Sequence, residues 1–461
     1  MAGIERYGSY VPFFRLTRAA LGGGKGERAV ASYDEDSASM AVEAAREALR
    51  GSEGGVDTLL FSTTSPPYAE KLNAATVAAA LQLEEGVCAL DLGGSSRTGL
   101  SSLLAALDLA SSGRRVLATT ADVVVGAPSG PREAAGGDAA AAFVVGSDDG
   151  IARLIGRGAT TREVLDVWRT EQMPFARQWE DRFGAEVFEP LVQATVDEAL
   201  EDAGCEMKDL ARVVADGTNP RVLKSFAKKA RLSPEQIGAD PSMRIGRAGA
   251  AAAGLGLAAA LDEAKPGDKI LVFCAADGVD AAVFEVTSSV DQGRPRHSVG
   301  SWIDSKRSDL AYTSYLKWRE ILPFEPPRRP DPDRPAAPPM QRAERWKFAF
   351  VGSRCGNCDS VNLPPQRVCV VCQAVDQMTA EPSADAECRV ATYTIDRLAY
   401  SLQPPIVAAV VDFTNGGRFN CQLTDVDPDS VGIGDELEMT FRRFFTAGGV
   451  HNYFWKARPK R

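Results

Sequence analysis

The chain has 461 residues, 44% hydrophobic and 25% charged, which is enough for two or three domains with cores of their own. A net charge of −10 at pH 7 argues against general binding to nucleic acid or to an anionic membrane. No run approaches the roughly 20 apolar residues that span a bilayer, and the opening MAGIERYGSYVPFF lacks the apolar core of a signal peptide, so a cytoplasmic location is expected.

In chain order, residues 1 to 288 are written twice. A helix, an Asp-containing turn and a strand ending in polar residues and Pro occur as VEAAREALRGSEGGVDTLLFSTTSPP (42 to 67) and again as VDEALEDAGCEMKDLARVVADGTNP (196 to 220). A helix ending in Ala-Leu-Asp, a Gly turn at Gly113 or Gly267 and a buried strand occur in 103 to 123 and in 256 to 278 without a gap. The strand that follows recurs as GGDAAAAFVVG (136 to 146) and GVDAAVFEV (278 to 286). Helices alternating with short β-rich runs predict a parallel or mixed sheet covered by helices. Two such halves imply a pseudo-twofold α/β fold, with a site where strand ends from both halves meet.

A duplicated α/β chain of this length resembles the thiolase superfamily, whose fold is the five-layered αβαβα sandwich. GIERYGSYVP, DEDSASMAVEAAREAL, SPPYA (65 to 69), DVWR (166 to 169), IGRAGAAAAGLGLAAALDEAKPGDKILV (245 to 272) and DGVDAAVFEVT are similar to motifs of the 3-hydroxy-3-methylglutaryl-CoA synthase branch, archaeal type, in the right order. The resemblance implies acyl-CoA chemistry at the turn inside ALDLGGSSRTGLSSLLAALDLA (89 to 110), where active relatives carry a Cys that is acylated with help from a His and a Glu. Matching the flanks places Gly94 at the Cys position, Thr64 at the Glu, Asp216 at the His and Arg247 at an Asn. Independently of any matching, the chain has two histidines, His297 and His451, both outside the duplicated region. No imidazole of the duplicated region can therefore serve a Cys-His mechanism, and an acyl-cysteine is not expected.

The groups left to act are few. Cys88 falls on a strand expected to be buried, where a thiol is inert. Ser95 could attack only with a base beside it and otherwise caps a helix or donates a hydrogen bond. Asp216 and Arg247 together are either a mutual salt bridge or an acid/base paired with an anion clamp. Tyr68 could donate a proton to an alkoxide or enolate, or simply pack.

After residue 288 the composition turns polar. A short helix is expected in SDLAYTSYLKWREIL (308 to 322), and eight of the 27 prolines lie between 323 and 339, forming a stiff spacer. Next, Cys355, Cys358, Cys369 and Cys372 stand as CxxC, ten residues, CxxC, which predicts a structural zinc with all four positions filled by protein. Apolar/polar alternation in 387 to 400, 405 to 426 and 435 to 445 predicts strands, with a hairpin turn at Asn415-Gly416-Gly417. The ribbon and barrel resemble the rubredoxin-like zinc-ribbon and OB-fold family found beside thiolases, which implies acyl-CoA handling and assembly with a thiolase-type partner subunit. Arg442, Arg443 and Lys456 are candidates for a CoA phosphate or adenine, or a solvated basic edge.

The expected domains are two thiolase-like halves (1 to 150 and 151 to 288), a linker (289 to 345), a zinc ribbon (346 to 378) and a small OB-type β-barrel (379 to 461). Three functions are open at this point. One is a retro-aldol acyl-CoA lyase needing only a base and an oxyanion hole, with Asp216, Tyr68 and Ser95 to supply them. Another is a non-catalytic CoA-binding scaffold for an active thiolase. The least favoured is a hydroxymethylglutaryl-CoA synthase or acyltransferase. The superfamily resemblance further implies a homodimer through the first half.

Overall fold

The computed structural model describes residues 2–461 apart from 239, 326, 329 and 331; three of these positions belong to the expected Pro-rich spacer, and that part of it lies outside the described residues. The chain forms two compact units, one of Met1–Ala31, Asp36–Ala75 and Glu84–Leu310, the other of Ser32–Glu35, Thr76–Leu83 and Ala311–Arg461.

The first half of the first unit begins with β1 (Gly3–Tyr10), the ribbon β2 (Phe14–Thr17) and β3 (Glu27–Val30), then α1 (Ser37–Leu49) and β4 (Thr58–Ser62). It continues through α2 (Asn73–Ala80), β5 (Cys88–Leu92), α3 (Thr98–Ser111), β6 (Val116–Asp122), the short α4 (Pro131–Ala135) and β7 (Ala139–Gly146). The second half runs β8 (Ala152–Thr161), the two-residue strands β9 (Val167–Trp168) and β10 (Arg177–Gln178), α5 (Asp181–Asp202) and β11 (Arg212–Gly217). It closes with α6 (Pro220–Lys229), α7 (Pro234–Ile237), α8 (Pro241–Ile245), α9 (Ala251–Glu263), β12 (Lys269–Ala275), β13 (Gly278–Val286) and α10 (Val299–Asp304).

Nine strands hydrogen-bond in the order β11-β12-β13-β8-β1-β7-β6-β4-β5. The halves meet at β1 and β8, which share only Gly3↔Arg153 and Ile4↔Ala152. Helix α1 packs on β1, β6 and β7, α5 packs on β8 and β13, and α3 and α9 pack on each other between the halves, giving five layers. Small residues permit that central layer. A Cβ on Gly99 of α3 would lie 1.9 Å from the Ala250 carbonyl oxygen, so only glycine lets the helices approach this closely. For the same reason β7 reads AAAAFVVG, every residue buried between helices on both faces.

The duplication is incomplete. In the first half β5 follows α2 and pairs parallel with β4. In the second, α6 leads instead to two one-turn helices, capped by Ser233 and Asp240 and started by Pro234 and Pro241. With proline at both starts and glycine after both ends, the described residues of this stretch form no strand. Strand β11 therefore ends the sheet.

In the second unit, α11 (Tyr312–Trp318), α12 (Ala337–Arg342) and α13 (Glu344–Ala349) precede a ribbon of β14 (Val351–Cys355), β15 (Val361–Asn362) and β16 (Met378–Pro382). A closed barrel follows in the order β17-β18-β19-β21-β20, from β17 (Cys388–Asp396), β18 (Ile406–Phe413), β19 (Arg418–Leu423), β20 (Glu436–Ala447) and β21 (Val450–Pro459). Part of the spacer is thus helical, and β21 is a strand that the pattern reading did not pick out. An aromatic cluster of Trp346, Phe350, Phe413, Phe419 and Phe454 has ring centroids 4.8–6.1 Å apart and ties α13 to the barrel. Among the described residues, no helix is long and apolar enough to cross a membrane.

Candidate functional site

The turn between β5 and α3 keeps the shape of a nucleophile's seat. Gly94 has φ 101°, a left-handed value that a side chain would strain, and Gly93 and Gly94 are exposed. Ser95 Oγ accepts the Arg97 N–H at 3.4 Å, an interaction that does nothing to activate it. Arg97 instead spans the halves. Its guanidinium donates to Asp280 Oδ1 at 2.6 Å and to the carbonyls of Thr160 and Asp277 at 3.2 Å.

Thr64, at the expected Glu position, is bound to the buried carboxylate of Asp122. Thr64 donates its N–H at 2.7 Å and its hydroxyl at 2.8 Å, the Thr63 and Ser65 hydroxyls each donate at 2.9 Å, and the Ala250 N–H donates at 2.7 Å. Asp122 thereby ties the ends of β4 and β6 to the start of α9, a fixture that the sequence reading missed. Its only sequence signal is an Asp closing an apolar strand.

Asp216 ends β11 and is 6% exposed. It forms an ion pair with Arg247, and the Cys274 thiol donates to its other oxygen at 3.4 Å. Arg247 is itself fastened to the first half, its N–H to the Ala135 carbonyl and its carbonyl to the Gly137 N–H, both at 2.9 Å. Burial, with Asp216 beside it, pushes the Cys274 thiol well above its ordinary pKa, so this sulfur stays protonated. Of the four residues expected in the site, Asp216 and Arg247 are brought together as the salt bridge. Tyr68 donates its N–H to Asn73 Oδ1 at 3.1 Å, and the Lys71 ammonium stands 5.8 Å from its ring.

Two expectations need correction. Cys88 is exposed, because β5 is the edge of the sheet and both of its faces are open. Arg442 and Lys456 are each 1% exposed. Arg442 pairs with Glu35 at 2.7 Å, Asp425 at 2.5 Å and Asp34 at 3.4 Å, and Lys456 with Asp34 at 2.8 Å. Burial by itself would raise the Asp34 carboxyl, yet Lys456 and Arg442 bring it down to about 2. Arg443 is half-buried, its N–H on the Asp34 carbonyl at 2.8 Å. A buried cation is retained when it is paired, and Arg442 and Lys456 are occupied by the chain's own carboxylates, while the Arg443 guanidinium donates to the Tyr33 carbonyl at 3.4 Å.

A different surface carries unpaired aromatic area. Trp168 and Trp179 lie 5.9 Å apart, Phe183 is 6.4 Å from Trp179, and Trp179 and Phe183 are half-exposed. Arg177, opposite Trp168 in the β9–β10 register, is exposed, as are Arg182 and Arg221, the last 3.9 Å from the Asp181 carboxylate. The surface adjoins the end of β11, since Gln178 donates to the Thr218 carbonyl at 3.4 Å and Asn219 to that of Asp181 at 2.9 Å.

In the second unit, the sulfurs of Cys355, Cys358, Cys369 and Cys372 lie within 4.8 Å of one another. Cys369 Sγ accepts N–H groups from Val371 at 3.4 Å and Cys372 at 3.5 Å. The Cys372 N–H, joined by the Ser360 hydroxyl, holds the Cys369 thiol down at about 5. Four sulfurs with donors aimed at one of them suit a thiolate-bound metal, and zinc fits such a set without redox chemistry.

This architecture defines a thiolase-type α/β unit joined to a zinc ribbon and an OB barrel. Family models match in the same places: the 3-oxoacyl-[acyl-carrier-protein] synthase III C terminal at residues 200–286, the ChsH2 rubredoxin-like zinc ribbon at 348–379 and the ChsH2 C-terminal OB-fold at 382–442. The hydroxymethylglutaryl-CoA synthase of Methanopyrus kandleri is 30% identical over 345 residues, which cover 70% of this chain and 98% of that protein. That of Aeropyrum pernix is 30% identical over 344 residues, 70% of this chain and 95% of its own. The chain belongs to the hydroxymethylglutaryl-CoA synthase family. In fold it is similar to a crystal structure of HMG-CoA synthase complexed with CoA (TM-score 0.59, 18% identity, 68% of this chain and 89% of that one). It is also similar to 3-oxoacyl-[acyl-carrier-protein] synthase III from Aquifex aeolicus (0.56, 23%, 62% and 100%).

Proposed function

We propose that this protein binds CoA thioesters without being acylated by them and serves as a substrate-holding subunit for a separate thiolase-type enzyme. One observation carries the reading: each position expected to perform acyl transfer either lacks a reactive group or has its group held in a structural contact. Gly94 supplies no nucleophile, Thr64 is bound to Asp122, and Asp216 is locked to Arg247. A carboxylate so paired cannot accept a substrate proton without leaving a guanidinium uncompensated. The CoA nucleotide belongs on the Trp168–Trp179–Phe183 surface, where adenine can stack and the neighbouring arginines can meet phosphates. The open edge strand β5, with Leu90 40% exposed, is the surface for a homodimer. In the second unit, Cys355, Cys358, Cys369 and Cys372 would hold zinc, which closes the ribbon and supplies no reactive position.

A retro-aldol lyase is the second reading, favoured by Asp216 itself. It is a carboxylate at a strand end beside a cation, facing a cavity. The two readings separate when the purified protein is given a panel of β-hydroxyacyl-CoA thioesters and ketone or aldehyde release is measured for the natural protein and Asp216→Asn. The expected result is CoA binding with no ketone or aldehyde release by either protein, while thiolysis of a β-ketoacyl-CoA by an added thiolase, with free CoA as second substrate, is the same with the natural protein and the variant. Cleavage by the protein alone, abolished in Asp216→Asn, would instead establish the lyase.

A further inference from the structure

The place of the missing strand is an open groove of about 230 Å³. Five consecutive residues of β11, Arg212 to Asp216, line it, so it runs along the strand's edge rather than under one face. Opposite stands α9, most of which is buried. Ala252 and Ala259, two turns apart on one side of this helix, are only half-buried and face the groove. The space between cannot close up, because Gly256 already lies against Val214, where an added Cβ would come within 2.4 Å of the Val214 side chain. Leu223 of α6 and Ile237 of α7 complete apolar walls. Ion pairs mark the ends, Arg212 with Glu263 at 3.0 Å at one and Asp216 with Arg247 at the other, and Lys224 and Asp240 are the other charged groups of the lining.

A narrow apolar trough with polar groups at its ends suits a linear hydrocarbon chain anchored by a polar head. The head has a place as well. Past the Asp216 end, the Thr218 carbonyl accepts from Gln178 of β10 and Asn219 donates to the carbonyl of Asp181 at the start of α5, the elements that flank Trp179 and Phe183. The geometry points to the groove between β11 and α9 as the seat of the acyl chain of a CoA thioester. The thioester lies at the Asp216–Arg247 pair and the chain runs toward Arg212. This rests on the reading that the protein binds CoA thioesters. It adds that the second half selects the acyl group by length, in space that β5 occupies in the first half.

The test is calorimetric titration of the full-length protein with CoA, butyryl-, hexanoyl- and octanoyl-CoA, alongside fluorescence titration with dansylaminoundecanoic acid. Affinity should tighten roughly fourfold per added methylene until the groove is full. Ala259→Leu, which fills the groove, should bind CoA as the natural protein does but lose the gain with chain length. Ala252→Leu, at the other end of the same helix face, serves if Ala259→Leu does not fold. Chain-length dependence that is absent from the natural protein, or unchanged in both folded variants, would overturn the inference while leaving CoA binding intact. If no CoA species binds, the functional reading fails, and the dansyl acid decides separately. Binding at least tenfold weaker in Ala259→Leu would keep the groove as an acyl site, and equal binding would remove it.

Discussion

In the zinc ribbon, four sulfurs lie within 4.8 Å of one another and backbone N–H groups are aimed at them. In the Gly93–Ser96 turn, the backbone has the matching care of construction, with Gly94 at φ 101°, but no reactive side chain stands on it. One region is organised around what its side chains bind, the other around a shape alone. The difference teaches that frame and chemistry are separable. The five-layer fold holds because Asp122 fastens β4, β6 and α9, and Arg97 fastens α3 to β13, and neither fastening needs a nucleophile.

The comparison can be broken most forcefully at the ribbon. Replacing Cys369 by Ser, or stripping metal with a chelator, should remove on the order of 10 kcal/mol from the ribbon's folding. Protease cutting should then appear within residues 348–382, while the first unit's thermal transition stays in place. A first-unit transition that moved with the metal would mean that the two regions are not separable.

Next in size is the buried charge cluster. Arg442→Ala leaves Asp34, Glu35 and Asp425 without a shared partner and should cost about 3–5 kcal/mol in denaturant unfolding of the second unit. Retained stability would show that the cluster is hydrated and open to an outside anion.

A smaller effect sharpens the contrast through pH. Burial raises the Asp262 carboxyl to about 6, although Tyr7 donates to it at 2.8 Å and the Val299 N–H at 2.7 Å. A carboxyl whose pKa is raised on folding binds its proton more tightly in the folded state. Its contribution therefore disfavours folding above pH 6, and that penalty is relieved as pH falls from 6 to 4, by up to about 3 kcal/mol. Asp34 has the opposite sign. Its carboxyl is held at about 2, so it supports folding above pH 4 and loses that support as pH falls toward 2. Comparing the natural protein with Asp262→Asn between pH 4 and 7 should isolate the first effect, with the variant's stability nearly flat over that range.

Much of this was legible in the sequence. The repeats at 103–123 and 256–278 map onto α3–β6 and α9–β12, because an apolar period of 3.6 followed by a Gly turn and an apolar run has few other solutions. The CxxC pairs located the ribbon because thiolate geometry demands that spacing. Burial was harder to foresee. Cys88 reads like a core strand residue, and only the strand order shows it at an edge. Arg442 and Lys456 read like a basic surface, because Asp34 and Glu35, their partners, lie some four hundred positions away in the chain. The groove was invisible for the same kind of reason, being the absence of a strand where Pro234 and Pro241 start one-turn helices instead.

The central claim is that CoA thioester is held and not attacked. It is tested most directly by incubating the purified protein with radiolabelled acetyl-CoA and a longer acyl-CoA, then measuring intact mass and protein-bound label after denaturation, with binding followed in parallel before denaturation. Saturable binding with no acyl adduct is the expected result. Label that survives denaturation and maps to the first unit, at Ser95 or any other residue, would contradict it.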